Sequence, residues 1–268
     1  MSYNGFNCDN PQVIVNAFAS YFSNSFIDST DFDLNSQYYV NDNDIPHIPE
    51  ITEDKILNSI KKLKANMTMG PDNLPAFIIK DCACLFSKPL CTIFNQILRS
   101  NTFPDLWKQS RVCPVYKKGN KEDVENYRPI AILCNFSKLF EIIIREHISF
   151  YAKNLIVPEQ HGFMPGRSTV SNLVCATQFI AETLDMRGQV DVIYTDFTKA
   201  FDKLDHGILL RKLHNFGINN SLLLMFKSYL SHRVQFVQYR GYKSDIFSQT
   251  SGVPQGSVLG PLLYYFHQ

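Results

Sequence analysis

The sequence predicts an α+β fold, and three observations carry that reading. Apolar residues recur at helical spacing through roughly the first hundred positions. After Trp107, short runs rich in β-branched and aromatic residues, bounded by Gly, Pro and Asn, alternate with further helical segments. With 268 residues, 45% of them hydrophobic, the chain can bury one large core or two small ones.

Taken in order, residues 12–26 place Ile14, Phe18, Tyr21, Phe22 and Phe26 on one helical face. Residues 28–50 are rich in Asp, Asn and Ser, contain two prolines and read as a linker. Thr52, followed by Glu53 and Asp54, starts a helix whose buried stripe is Ile56, Ile60 and Leu63, with Lys61, Lys62 and Lys64 near its end. Gly70-Pro71-Asp72 is a turn. Helices follow near 75–86 and 89–100, the second with Pro89 at its first position. RVCPVYKKG (111–119) and NYRPIAIL (126–133) read as two strands joined by a polar loop. Residues 135–152 and 168–186 read as helices, VDVIYTD (190–196) as a strand. Asp205 caps a helix holding Leu209, Leu213 and Phe216, which Gly217 ends. A helix over 221–231 and a hairpin of VQFVQYRG with DIFSQTSG lead into VPQGSVLGP.

Net charge is +1, but the charge is unevenly distributed. Residues 1–54 hold nine acids and no Lys or Arg, whereas all 26 bases lie in 55–268 beside the remaining sixteen acids. The division separates an acidic N-terminal helix and linker, 1–54, from a basic body, 55–268. A basic body suits a polyanion bound through phosphate contacts, and equally suits a solvated surface. Seven cysteines, odd in number, form no C-x-x-C pair and follow no signal peptide, which predicts free thiols in a reducing compartment. No apolar run reaches the roughly 18–20 residues that span a membrane.

The stretch TDFTKAFDKLDH (195–206) concentrates three aspartates. Asp196 closes the expected strand. A carboxylate there can hold Mg²⁺, which takes hard oxygen ligands together with substrate phosphates, or can cap the next helix, as Thr198 can. Asp202 and Asp205 read as supports of the helical segments that follow.

Five segments in order, V-C-P-V-Y-K-K-G (112–119), N-Y-R-P-I-A-I-L (126–133), E-Q-H-G-F-M-P-G-R-S-T (159–169), I-Y-T-D-F-T-K-A-F-D-K-L-D-H (193–206) and S-G-V-P-Q-G-S-V-L-G-P-L-L (251–263), resemble the reverse transcriptases of non-LTR, LINE-type retrotransposons, jockey-like elements above all. G-P-D-N-L-P and N-A-F-A-S-Y-F-S-N-S-F resemble the family's upstream region. The resemblance implies a right-hand polymerase domain over 55–268, with fingers and a partial palm and without a thumb. It also implies RNA-directed DNA synthesis from an RNA template and DNA primer, with deoxynucleoside triphosphates as substrates and two Mg²⁺ ions. Such elements act at nuclear DNA after cytoplasmic translation.

Motif by motif, the resemblance makes Asp196 the first metal carboxylate and the Phe197 carbonyl a second ligand. Lys117 and Arg128 would grip the triphosphate. Phe201 would lie beneath the sugar and disfavour a 2′-hydroxyl; core packing is the alternative for this ring. Gln255 and Gly256 would form the turn beside the nucleotide, shaped by Gly252 and Pro254. Arg167 would lie along the template–primer backbone, or simply occupy an exposed turn. The chain contains no Y-x-D-D and no Asp-Asp pair. Relative to the family it therefore reads as truncated, and the expectation is that it does not extend primers by itself. The rival expectations are a non-catalytic nucleic-acid-binding relic or co-opted fragment and, more remotely, an unrelated phosphohydrolase built on Asp196.

Overall fold

A computed structural model of the chain describes residues 1–3, 6–7, 10–32, 46–152 and 156–267. Much of the expected linker, positions 33–45, lies outside the described residues. Two compact units emerge, one from Met1–His147 with Lys199–Gln268, the other from Ile148–Thr198.

In chain order the elements are β1 (Ser2–Tyr3), β2 (Phe6–Asn7), α1 (Pro11–Ser23), α2 (Glu53–Lys62), α3 (Ala76–Asp81), α4 (Ala83–Ser100) and α5 (Asp105–Lys108). Next come β3 (Gln109–Tyr116), β4 (Tyr127–Ile132), α6 (Asn135–Ala152), α7 (Thr169–Asp185), α8 (His206–Asn215) and α9 (Asn220–Leu230). The chain closes with β5 (Arg233–Tyr239), β6 (Tyr242–Lys243), β7 (Phe247–Gln249) and α10 (Gly260–His267).

The main sheet of the first unit runs β4-β3-β5-β6, with β7 also paired to β5. β3 and β4 are antiparallel, in register from Arg111 opposite Ile132 to Tyr116 opposite Tyr127. β3 and β5 are parallel from Gln109 to Val112, and their pairing stops two residues before Pro114, which has no N–H to donate. α1 covers one face. Its Val15, Phe18, Ala19 and Phe22 form a core with Val112, Val124 and Val237, and Phe18 meets Tyr127 edge-to-face at 5.1 Å. An aromatic core of Phe94, Phe103, Phe140 and Tyr229 joins the helices; Phe103 and Tyr229 stack at right angles, 5.0 Å apart. Thr52 caps α2 and Ile56, Ile60 and Leu63 are buried, as their spacing predicts.

Two expectations fail. Pro89 does not open a helix but lies inside α4, which begins at Ala83. The bond it forfeits belongs to the carbonyl of Leu85, an exposed residue, so water can serve that group. The expected strand 190–196 is not a strand. Its residues are of types that favour strands, but no strand among the described residues pairs with it, and Ile193 and Tyr194 are 86% and 93% exposed. An unpaired strand leaves its backbone groups to solvent and has no ladder to hold it extended.

The second unit is thinner. α7 is capped by Ser168, whose hydroxyl accepts from the Ser171 N–H while the Ser171 hydroxyl accepts from the Ser168 N–H. None of its residues is buried.

Candidate nucleotide site

The site is assembled around β4. That strand has one free edge, and strand alternation sets which groups face it. The Lys117 N–H bonds the Asn126 carbonyl at 2.8 Å. The even-numbered residues of β4 therefore pair with β3, and Pro129 and Ala131 turn their backbone groups outward. Proline suits that position because it has no N–H to leave unpaired.

Lys117 and Arg128 sit at the loop end of the β3–β4 hairpin, both exposed. Val115 is opposite Arg128, and Lys117 follows Val115 by two, so alternation puts both cations on the face away from α1. The hairpin loop is fixed locally. Tyr116 Oη donates to the Gly119 carbonyl at 2.6 Å, Tyr127 Oη to that of Lys121 at 2.8 Å, and Asn126 Nδ2 to that of Asn120 at 2.8 Å. Gly119 has φ +92°, and a Cβ there would meet the Asn126 side chain at 2.8 Å.

The loop S-G-V-P-Q-G docks on the outward edge of β4. The Ala131 N–H donates to the Gln255 carbonyl at 2.7 Å. Gly256 has φ +128°, and a Cβ at that position would lie 2.5 Å from the Ala131 carbonyl oxygen. No other residue type fits so close a backbone approach in that conformation.

The other side of the loop is bonded to the turn 199–205. Gly252 and Val253 donate to the carbonyls of Leu204 and Phe201 at 2.7 and 2.9 Å, and the Ser251 hydroxyl donates to the Asp202 carbonyl at 2.6 Å. Gln255 Nε2 donates to Asp202 Oδ1 at 2.8 Å. Burial pushes the Asp202 carboxyl above its ordinary range, against the Gln255 bond and the charge of Lys199, which pull it down. The Phe201 ring is half-buried and stacks on Tyr264 of α10, centroids 4.9 Å apart.

Glu141 of α6 anchors the far end of the loop. It is fully buried and accepts from the N–H groups of Val258 and Leu259, at 2.6 and 3.1 Å, and from the Ser137 hydroxyl at 3.1 Å. Desolvation raises its pKa, opposed by these donors and by the positive field of buried Arg233. Sequence reasoning missed both Glu141 and the role of Asp202. The available signal for Glu141 is a lone acid inside the apolar run Leu139-Phe140-Glu141-Ile142-Ile143-Ile144. Asp202 read as a helix support, but it lies in a turn, so its carboxylate is available to a side chain of the loop instead.

Gln255 and Gly256 are thus held on the edge of the strand that carries Arg128, and Phe201 is bonded to the other side of their loop through Val253. Asp196, Phe197 and Arg167 belong to the second unit. Asp196 and Phe197 are exposed in its irregular segment, and neither Asp196 nor Thr198 caps a helix. Arg167 is exposed, and its Nη1 donates to the carbonyls of Pro158 and Gln160, closing its own turn. Among the described residues no group of three or more His, Cys, Asp or Glu side chains could hold a metal ion, and no helix is long and apolar enough to cross a membrane.

A mixed α/β domain with a P-Q-G loop docked on the edge of a basic hairpin is the class of structure expected for a template-directed polymerase. The chain belongs to the reverse transcriptase (RNA-dependent DNA polymerase) family, whose model matches residues 116–267. Its relatives come from mobile elements. It is 34% identical over 226 residues to a "Probable RNA-directed DNA polymerase from transposon BS" of Drosophila melanogaster, covering 81% of this chain and 24% of that protein. It is 32% identical over 220 residues to the "RNA-directed DNA polymerase from mobile element jockey" of the same species, covering 80% and 24%. A "Retrovirus-related Pol polyprotein from type-1 retrotransposable element R1" of Bradysia coprophila is 27% identical over 223 residues, covering 82% and 22%. The chain spans about a quarter of the length of these curated relatives.

Proposed function

We propose that the chain supplies the nucleotide-gripping part of a retrotransposon RNA-directed DNA polymerase, acting with an RNA template, a DNA primer and deoxynucleoside triphosphates. The observation that carries this reading is the docking of the loop bearing Gln255 and Gly256 on the free edge of β4, whose hairpin holds Lys117 and Arg128. A point charge and a forked donor are the complement of triphosphate oxygens. Gly256 lets the loop approach the β4 backbone closely and so fixes where Gln255 stands, and Phe201, held by Tyr264, offers a flat ring for a sugar.

The Asp196 carboxylate and Phe197 carbonyl are hard oxygen donors of the kind Mg²⁺ takes, and one carboxylate completed by substrate phosphates is a set that ion accepts. When bound, Mg²⁺ would polarise phosphoryl oxygens and acidify a primer hydroxyl. A second ion needs further carboxylates gathered at one place, which the described residues do not provide. The expected behaviour of this chain on its own is therefore nucleotide binding without measurable primer extension. Arg167 would contact the template–primer backbone through the guanidinium nitrogens its turn does not use.

Equilibrium titration of the full chain with a fluorescent deoxynucleoside triphosphate and Mg²⁺ tests the proposal. Lys117→Ala and Arg128→Ala should each weaken binding about tenfold or more, the scale of one charge-assisted hydrogen bond. Wild-type chain that fails to bind, or variants that bind as tightly, would refute it. The uneven charge of the chain favours a second reading, a non-catalytic RNA-binding fragment. Salt-dependent RNA binding in a chain that takes up no nucleotide would select that alternative.

A further inference from the structure

We propose that Asp202 is a positioning residue that fixes which end of the Gln255 side-chain amide faces outward. Its functional consequence rests on the nucleotide-site reading above; the orientation itself does not.

The argument begins with what an ionised carboxylate can do. It only accepts hydrogen bonds, so it takes the NH₂ end of an amide and repels the carbonyl end. Asp202 is 7% exposed and its Oδ1 receives Gln255 Nε2 at 2.8 Å. The surrounding backbone leaves the amide little freedom to move away. Ser251, Gly252 and Val253 are bonded to Asp202, Leu204 and Phe201, and Gln255 and Gly256 are bonded to or packed against Ala131. What remains is rotation of the amide itself, and a half-turn would set Oε1 against the carboxylate.

Nε2 therefore points inward and Oε1 outward. Among the described residues nothing donates to Oε1. The site thus presents one acceptor at a defined place, and the part of a nucleotide that meets it must be a donor, a hydroxyl or a base N–H. The docked loop 251–256 carries no charge. On its own turn, Lys199 is the cation that acts on Asp202, while its ammonium bonds the Ser25 hydroxyl at 2.7 Å and lies 4.6 Å from the Tyr21 ring centre.

The experiment follows the Gln255 side-chain NH₂ signals by ¹⁵N-resolved NMR in the full chain. In wild type they should form one set that shifts as the Asp202 carboxyl titrates, at a pH above the usual aspartate range. In Asp202→Asn, nearly identical in shape, the titration should vanish and the signals should double or broaden as both amide orientations become allowed. A wild-type amide insensitive to pH, or one unchanged set in the variant, would overturn the assignment. The wild-type titration needs no variant, so a variant that misfolds does not spare the proposal.

Nucleotide titrations separate the inference from the reading beneath it. Asp202→Asn and Gln255→Ala should each weaken deoxynucleotide binding about tenfold, and the double variant no further, because both remove one oriented acceptor. Additive losses would overturn the positioning role. A wild-type chain that binds no nucleotide while its Gln255 amide still titrates would refute the nucleotide site and leave the orientation standing.

Discussion

Three aspartates stand within ten residues, and the structure gives Asp202 and Asp205 different tasks. Asp205 is the N-cap of α8, accepting from the Ile208 N–H at 2.8 Å and from both the N–H and hydroxyl of Thr30 at 2.9 and 2.7 Å. Burial alone would raise its pKa, but these bonds outweigh it and hold the carboxyl below its ordinary value. The sign follows from the depression. The stabilisation is complete above the unfolded value of ~3.9 and is lost as pH falls through the lower folded value. Asp205→Ala should destabilise the chain by about 2–3 kcal/mol in urea unfolding at neutral pH, a cap plus an orphaned Thr30, and by much less near pH 2. An equal loss at both pH values would show that the carboxylate charge is not what the site uses. The capping role was legible in the sequence because it depends on neighbours three residues away. Asp202's tie to Gln255 was not, because its partner lies in a loop fifty-three positions on.

The same distinction holds for whole elements. Helices close their hydrogen bonds internally, so spacing and caps sufficed to find α2 and α8. The β3–β4 hairpin is also local and was legible. What failed was the segment 190–196, whose strand character depends on a neighbour that no local pattern supplies. The docking of the 251–256 loop was half legible. Its glycines mark unusual backbone, but the surface it meets is the edge of β4, more than a hundred residues earlier. That edge gives a direct test. Gly256→Ala adds a Cβ against the Ala131 carbonyl oxygen in a backbone conformation hostile to side chains. It should cost about 1–3 kcal/mol and speed hydrogen exchange at the Ala131 amide, whose partner is the Gln255 carbonyl. Exchange at Val112 in β3, buried beneath α1, should change only by the global loss of stability. An unaltered Ala131 amide would mean that the loop does not depend on this contact.

At the scale of the whole molecule, the two units differ in what holds them. The first carries the sheet, the α1 core and the aromatic core at Phe94, Phe103, Phe140 and Tyr229. The second offers α7, seventeen residues with none buried, and exposed apolar side chains that include Leu173, Val174, Phe179 and Ile193. Burial of apolar area is the main term favouring any helix in water, and a helix of this length without it is marginal. The amides of α7 should therefore exchange through local opening, orders of magnitude faster than those of α4, α9 and β5, whose release requires global unfolding. Substitution separates this account from one in which α7 buries its apolar residues. Phe179 is 62% exposed, so Phe179→Lys removes no buried contact. It should change the unfolding free energy by less than about 0.5 kcal/mol, where a core phenylalanine would lose several. The same change takes an exposed ring off an apolar surface of the kind that drives association, so the variant should stay monodisperse at higher concentration in light scattering. A loss of more than about 2 kcal/mol would place Phe179 in a folded core.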